Sequence, residues 1–180
     1  MGPGANSRVA VLVISLILAL SPAAAQEPER KPACDEPEHR AFDFWLGEWD
    51  VLNPQGHQAG VNRIEKILNG CALLENWTGS RGGAGKSLNF FNAATRRWEQ
   101  VWVADGGGVI KYEGEFKDGA MRFAGEFFQR DAARLPSRMT LTPLDGGRVR
   151  QLIERSTDGG MTWTVWFDGT YVRRAKAPSP

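Results

Sequence analysis

The sequence contains few of the residues on which catalytic and metal sites usually depend. It has two histidines, His39 and His57, and two cysteines, Cys34 and Cys71, among 180 residues. Neither histidine lies in a segment with the alternation of a β-strand, where an interior haem or zinc site would need one. The cysteines do not form a C-x-x-C pair, so a redox site is not indicated. We therefore expect no cofactor and no metal.

Long apolar runs are also absent after the N-terminus. Residues 9–20 form a run of 12 residues with one serine and no charge, between Arg8 and the small residues Ala23, Ala24 and Ala25. As a helix this run would span about 18 Å, which is short for a hydrocarbon core of about 30 Å. The pattern predicts a cleaved signal peptide over residues 1–25 and a periplasmic or secreted product without a membrane span.

An excess of charge of one sign is absent as well. Removing Arg8 from the 22 basic residues leaves 21, which equals the number of acidic residues. A chain with balanced charge has no strong attraction to nucleic acid or to anionic lipid. We therefore expect neither as a partner.

The two cysteines both lie in the part of the chain that would be exported. Two thiols in an oxidising compartment usually pair, so we predict a disulfide between Cys34 and Cys71. The bridge would attach an N-terminal arm, residues 26–41, to the body of the domain. A buried free thiol at Cys71 is the alternative.

Short alternating segments separated by turns dominate the chain from Gly47 onward. Apolar and polar residues alternate with period two, and Gly, Asp and Asn occur between the segments, as in β-hairpins. A helical period is absent from this part of the sequence. The predicted strands cover residues 48–52, 60–68, 72–79, 87–92, 98–104, 109–116, 120–128, 138–143, 148–156 and 162–173.

Regular short strands joined by tight turns favour an antiparallel meander, and closing the sheet removes its exposed edges. We predict an all-β protein: a single closed or nearly closed up-and-down β-barrel of about ten strands. The barrel domain would cover residues 42–174, followed by a tail over residues 175–180. A two-sheet sandwich is the competing architecture.

The alternation also predicts which side chains face the interior. Aromatic residues share strand faces with a few polar ones, such as Glu75 with Trp77 and Gln100 with Trp102. A buried carboxylate or amide needs partners, either within the protein or from a ligand. Such an interior suits a small hydrophobic or amphipathic molecule. The candidate ligand-binding residues are Glu75, Trp77, Gln100, Trp102, Tyr112, Phe123, Gln151, Trp163 and Phe167.

Two other functions remain open at this point. An enzyme of the hydrolase or isomerase type could use Glu75 or Glu154 as acid or base in the same cavity. A scaffold would fill the barrel with its own side chains instead. If the protein binds a ligand, Arg138 or Arg150 could neutralise a carboxylate on it. An empty interior of several hundred Å³ would favour binding, and a packed interior would favour the scaffold.

One short motif carries a tempting but weak functional suggestion. Residues 156–163 fit S-x-D-x-G-x-T-W, the Asp box that sialidases repeat. Its carboxylate accepts backbone N–H bonds in a hairpin turn, and its tryptophan packs beneath the loop. Because a single copy occurs in a short chain, we interpret it as a structural turn.

The segment Gly47-Glu48-Trp49 resembles the G-x-W motif at the first strand of the calycins, which include lipocalins and fatty-acid-binding proteins. In that superfamily the tryptophan crosses the closed end of the barrel and an arginine from the last strand often stacks on it. The resemblance implies that Trp49 packs at a barrel end with Arg173, or with Arg174.

A longer pattern consists of residues 42–51, 69–71 with Glu75 and Trp77, 87–92, 98–103, 149–151, 154–156 and 167–171. It resembles the DUF1579-like group of exported bacterial proteins of unknown function, over about residues 34–174. The resemblance implies a lipocalin-like or nitrobindin-like β-barrel and brings no established substrate. Haem-binding relatives of that fold use a histidine near the C-terminal strands, which this sequence lacks.

Overall fold

The computed structural model describes residues 1–2, 34–129 and 133–175. The chain divides into two compact units, Met1–Lys31 and Pro32–Pro180, and the described residues from Cys34 onward belong to the second. Apart from Met1 and Gly2, the predicted signal peptide lies outside the described residues, as does most of the predicted arm. Among the described residues, no helix has the length and apolar character needed to cross a membrane.

Within the described residues, ten antiparallel strands close into a barrel, which confirms the predicted all-β architecture and excludes the sandwich. Each strand pairs with the next one along the chain, and the last strand pairs with the first. The strands are β1 (Gly47–Leu52), β2 (Gln58–Ile67), β3 (Ala72–Gly79), β4 (Ala84–Asn92), β5 (Arg97–Ala104), β6 (Val109–Lys117), β7 (Ala120–Phe128), β8 (Arg134–Leu144), β9 (Arg148–Arg155) and β10 (Thr164–Arg173).

The start of β8 differs most from the sequence prediction. The strand begins at Arg134 rather than at residue 138, and Pro136 lies inside it. A proline cannot donate a ladder hydrogen bond, which argues against a strand at this position. Here its carbonyl accepts a hydrogen bond from the Ser156 backbone N–H at 3.0 Å, so pairing continues past the proline.

The alternation of side chains along each strand separates the core from the outer surface. In β6, Ile110 and Tyr112 are buried while Lys111 and Glu113 are exposed. Successive residues of a strand point to opposite faces of the sheet, so closure places one set inside the barrel. The same period along ten strands gives the barrel a continuous aromatic and aliphatic core.

Phe42 and Trp45 fill one end of this barrel. They lie in the segment between the helix α1 (Pro37–Arg40) and β1, where residues Asp43–Trp45 form a short 3-10 helix. Both side chains are fully buried, and their rings stack with centroids 4.9 Å apart. Phe42 also contacts the edge of Trp98, at 5.4 Å between centroids. We call this end, at which β1 begins, the closed end and the opposite one the open end.

Trp49 and Arg173 pack together on β1 and β10 near the closed end. The Arg173 guanidinium carbon lies 3.8 Å from the centroid of the Trp49 ring. Arg173 also donates a hydrogen bond to the Leu46 carbonyl, and the Trp49 indole donates to the Trp45 carbonyl at 2.9 Å. These contacts attach the segment between α1 and β1, residues 41–46, to the first and last strands. We call it the plugging segment because it carries Phe42 and Trp45 into the barrel.

The predicted disulfide between Cys34 and Cys71 is present. It attaches the residues before α1 to the turn that precedes β3. Two further contacts hold the same segment, because the Glu38 carboxylate pairs with Arg96 at 2.7 Å and its carbonyl accepts from the Trp98 indole at 3.1 Å. The bridge therefore stabilises the segment that carries Phe42 and Trp45 into the barrel.

We expect replacement of both cysteines, Cys34→Ser with Cys71→Ser, to lower the free energy of unfolding by about 4 kcal/mol. The bridge joins residues separated by 37 positions, and a loop of that length loses this much denatured-state entropy in the chain-entropy model. Urea denaturation of the variant and of the oxidised wild type measures the difference. Equal stability would mean that Phe42 and Trp45 hold the segment without the bridge.

Candidate ligand-binding cavity

A cavity of about 90 Å³ lies inside the open half of the barrel. Its walls come from strand positions near the open end, and its floor is formed by polar residues at mid-barrel. The half-exposed Trp166, 53% accessible, lies at its rim, so the cavity reaches the protein surface. The main wall residues are Trp77, Trp102, Ile110, Ile153 and Phe167, and the floor residues are Glu75, Gln100, Tyr112, Gln151 and Tyr171.

Seven of the nine residues that the sequence indicated line this cavity, and Phe123 and Trp163 lie elsewhere in the described part of the chain. Phe123 is in the half of β7 nearer the closed end, 5.9 Å from Phe42 between ring centroids. Trp163 precedes β10 and packs against the Arg138 guanidinium at 4.4 Å. The seven are Glu75, Trp77, Gln100, Trp102, Tyr112, Gln151 and Phe167.

Other lining residues were not among the candidates. Ile153 shares the face of Gln151, and Tyr171 shares that of Phe167, so strand alternation could have identified both. Trp166 could not be found in this way. The pairing of β10 with β9 shifts between Val165 and Phe167, and such a bulge redirects one side chain.

Two glycines make room for the wall tryptophans. A Cβ atom on Gly60 would lie 2.7 Å from the Trp77 ring, and one on Gly85 would overlap the Trp102 ring. Each tryptophan therefore covers a glycine on the neighbouring strand, an arrangement that packs an aromatic ring over bare backbone. A larger residue at either position would push a ring out of the cavity wall.

Glu75 is the ionisable group on the floor, and it is 4% exposed. Its Oε1 atom accepts a hydrogen bond from the Asn62 amide at 2.7 Å, and Oε2 accepts one from the Ser87 hydroxyl at 2.6 Å. Burial disfavours the charged carboxylate and raises the pKa of Glu75 to about 7, although the bonds from Ser87 and Asn62 oppose this shift. The group therefore changes charge near neutral pH.

The hydrogen bonds of Glu75 continue on both sides as a belt around the barrel. On one side, Asn89 donates to Ser87 at 2.8 Å and Gln100 donates to Asn89 at 2.6 Å. On the other, Asn62 donates to the Tyr171 hydroxyl at 3.1 Å. The Tyr171 hydroxyl in turn donates to Gln151 at 2.7 Å. This belt pairs most of the polar atoms around the floor, although the Oδ1 atom of Asn62 has no partner among the described residues.

Arg138 and Arg150 lie on the outer surface, so the expectation that one of them neutralises a ligand carboxylate in the cavity is wrong. Each pairs with a carboxylate through two hydrogen bonds. Arg138 bonds Glu154 at 2.7 and 2.9 Å, and Arg150 bonds Asp168 at 2.9 and 2.8 Å. Alternation along β9 points Arg150 and Glu154 away from the face of Gln151, and Arg138 lies opposite Glu154 on the neighbouring strand β8. Glu154 is therefore outside the cavity, and it cannot be the acid or base there.

Arg155 is the arginine of β9 that shares the inward face. Its guanidinium carbon lies 3.7 Å from the Phe127 ring centroid on one side and 3.6 Å from the Trp166 centroid on the other. Burial lowers the pKa of Arg155 to about 10, so the group remains charged at neutral pH. The positively charged Arg155 side chain therefore lies next to Trp166, at the rim of the cavity.

The Asp box forms a turn just before β10. The Asp158 carboxylate accepts hydrogen bonds from the Thr162 backbone N–H at 2.9 Å, the Thr162 hydroxyl at 2.6 Å and the Ser156 hydroxyl at 2.7 Å. These donors hold the pKa of Asp158 well below its usual range. These partners are all within four residues of Asp158, as expected of a structural turn.

Metal ligation is not indicated by the described geometry. In the described ranges 34–129 and 133–175, no group of three or more His, Cys, Asp and Glu side chains is placed to hold a metal ion. The cavity itself offers an apolar wall and a floor of amide and phenol groups with one carboxyl group of raised pKa.

We expect Glu75 to make stability fall as the pH rises from about 4.5 to about 7. Its pKa is about 7 in the folded protein and 4.5 in the reference state, so the folded state binds more protons in this interval. The free energy of unfolding would fall by at most about 3 kcal/mol over this interval, and the decrease would level off above pH 7. Urea denaturation between pH 4 and 8 measures the slope.

The Glu75→Gln variant should lack this contribution, whereas Glu113→Gln, which changes an exposed carboxylate, should keep it. An unchanged slope in Glu75→Gln would contradict the assignment.

Comparison with known proteins leaves the cavity without an assigned ligand. No family model matches this chain, and no curated protein matches it. The similarity to the DUF1579-like group therefore stays a prediction from the quoted motifs.

Proposed function

We propose that the protein binds a small, mainly apolar molecule that carries a polar group, inside the open half of the barrel. The observation that carries the proposal is the cavity itself, with aromatic and aliphatic walls above a hydrogen-bonded polar floor. Apolar surface supplies affinity in such sites, and a few placed polar groups supply orientation. Glu75, Gln100 and Gln151 are the floor groups available for that role.

The size of the cavity restricts the ligand. At about 90 Å³ it is smaller than the engineered apolar cavity of about 150 Å³ that accommodates benzene. Long-chain lipids, sterols and haem would not fit without a large rearrangement of the barrel. We therefore expect a short branched or single-ring molecule that extends through the open end past Trp166.

A scaffold is less consistent with this arrangement. At about 90 Å³ the cavity is smaller than the several hundred Å³ expected of a ligand-binding barrel, so the case against a scaffold rests on the opening and the polar floor of the cavity and not on its size. In a barrel filled by its own side chains, close packing would leave no apolar cavity open to the surface, least of all beside buried polar groups. The closed end has such packing, with Phe42, Trp45 and Trp98 in mutual contact. This difference between the two halves of the barrel supports the binding proposal over a scaffold.

Acid–base catalysis in the same cavity is a second candidate, favoured by one observation. Glu75 lines the cavity with its pKa raised to about 7, a value suited to proton transfer at neutral pH. In that case Glu75→Gln would abolish turnover of any substrate found. Under simple binding, the same variant would retain most of the affinity for apolar ligands.

The binding proposal is tested by filling the cavity with a larger side chain. Ile153→Phe enlarges a wall residue, and Leu152→Phe makes a comparable enlargement at the next position of β9, which faces the outer groove. Titration with 3-methylbutan-1-ol and benzyl alcohol, followed by tryptophan fluorescence and calorimetry, measures affinity. We expect Ile153→Phe to weaken binding about tenfold or more, because ligand and ring would occupy the same space.

Leu152→Phe should bind as the wild type does. Circular dichroism and thermal melting verify that both variants remain folded. Binding that survives unchanged in a folded Ile153→Phe variant, or no binding of either alcohol to the wild type, would refute the proposal.

A further inference from the structure

Arg155 occupies a position that links the outer rim to the cavity. It ends β9 on the face that carries Gln151 and Ile153, two residues that line the cavity. It pairs across the sheet with Ser137, whose hydroxyl lies 2.6 Å from that of the cavity residue Tyr112. A group bound at Arg155 would therefore lie beside the opening.

The Arg155 guanidinium is buried on one edge without a partner. Among the described residues, its Nε and Nη2 atoms have neither measurable exposure nor a hydrogen-bond acceptor. Within the same part of the chain, no carboxylate forms an ion pair with it, in contrast to Arg138 and Arg150. Unpaired donors on a buried cation are costly, so proteins usually satisfy them.

The neighbouring arginines show what this edge recognises. Arg138 bonds the Glu154 carboxylate through Nε and Nη2, and Arg150 bonds the Asp168 carboxylate through the same two atoms. This side of a guanidinium presents two parallel donors that match a planar carboxylate. In Arg155 the same edge is turned into the protein.

The two aromatic rings hold this edge in place. Phe127 and Trp166 cover opposite faces of the guanidinium at 3.7 and 3.6 Å, and the Nε–Nη2 edge has almost no exposure, so a ligand would reach these donors only after Trp166 moves. A stacked guanidinium is oriented before a ligand arrives, and this reduces the entropy lost on binding. Trp166 lies at a bulge and is half exposed, so its ring can move aside with little loss of packing.

We propose that the ligand is a small carboxylate, with its apolar part in the cavity and its carboxylate on the Nε–Nη2 edge of Arg155. The inference rests on the proposed binding function and names the chemical class of the ligand. Short branched-chain carboxylates meet both the volume and the charge requirement, and single-ring aromatic carboxylates meet the charge requirement but would have to displace Trp166 to enter. Trp166 covers the carboxylate end of such a molecule.

The test compares carboxylates with their isosteric amides. The probes are 3-methylbutanoate and benzoate against 3-methylbutanamide and benzamide, titrated by calorimetry at pH 6, where Glu75 is largely uncharged and Arg155 is charged. We expect the wild type to prefer each carboxylate about tenfold or more. Arg155→Gln should lose that preference and keep its affinity for the amides within about twofold.

Two further variants separate recognition from packing. Arg138→Gln removes an outer-surface arginine that stacks on Trp163, and it should keep the wild-type preference. Arg155→Lys keeps the charge without the paired donors, so it should retain only part of the preference. Thermal melting establishes that each variant is folded, and the wild-type comparison stands even if Arg155→Gln does not fold.

The possible outcomes separate this inference from the proposed function. Equal loss of carboxylate and amide binding in Arg155→Gln, or a preference that survives in it, would overturn the role of Arg155. A wild type that binds the amides and the alcohols without preferring carboxylates would overturn this inference and leave the proposed function standing. A wild type that binds none of the probes would overturn both.

Discussion

The packing of Phe42 and Trp45 inside one end of the barrel determines that unfilled space inside the barrel remains in the opposite half. Both residues are fully buried and contact Trp98 and Tyr171, so the closed half is filled by the chain itself. The disulfide and the contacts of Glu38 hold the segment that delivers them. The remaining interior, in the open half, is lined by tryptophans that cover glycines on neighbouring strands. The cavity is therefore a consequence of an asymmetric core.

The polar belt at mid-barrel divides these two halves. Glu75 lies at its centre, and side chains from β2, β4, β5, β9 and β10 complete its hydrogen bonds. Burying a carboxyl group has a cost that its partners offset only in part, as the raised pKa of Glu75 shows. Apolar residues of similar volume at buried polar positions are often as stabilising or more so. Glu75, Gln100, Gln151 and Tyr171 of the belt line the cavity, which is why we connect them with ligand orientation.

Much of the fold followed from the period-two alternation, because the inward set of a closed sheet is fixed by strand parity. That parity placed Glu75 with Trp77 and Gln100 with Trp102 correctly. It failed where the backbone departs from regular pairing, since the bulge that directs Trp166 to the rim leaves no mark in the sequence pattern. The same parity, counted from Gln151, assigns Arg155 to the inner face and Arg150 to the outer one, so the sequence already held the information needed to choose between them.

Phe123 shows a different limit of the same reasoning. Its inward orientation was predictable, but its distance from the cavity depends on how far the plugging segment enters the barrel. That depth is set by tertiary contacts of Phe42, which no local pattern encodes. The size of the cavity, about 90 Å³, was unpredictable for the same reason.

Nuclear magnetic resonance of the indole N–H groups tests the central claim most directly, because the seven tryptophans are distributed over both halves and the rim. Addition of 3-methylbutan-1-ol should shift the signals of Trp77, Trp102 and Trp166 in a saturable manner and leave those of Trp45 and Trp49 unchanged. Saturable shifts confined to Trp45 and Trp49, or no saturable shift at any tryptophan, would contradict a ligand cavity in the open half of the barrel.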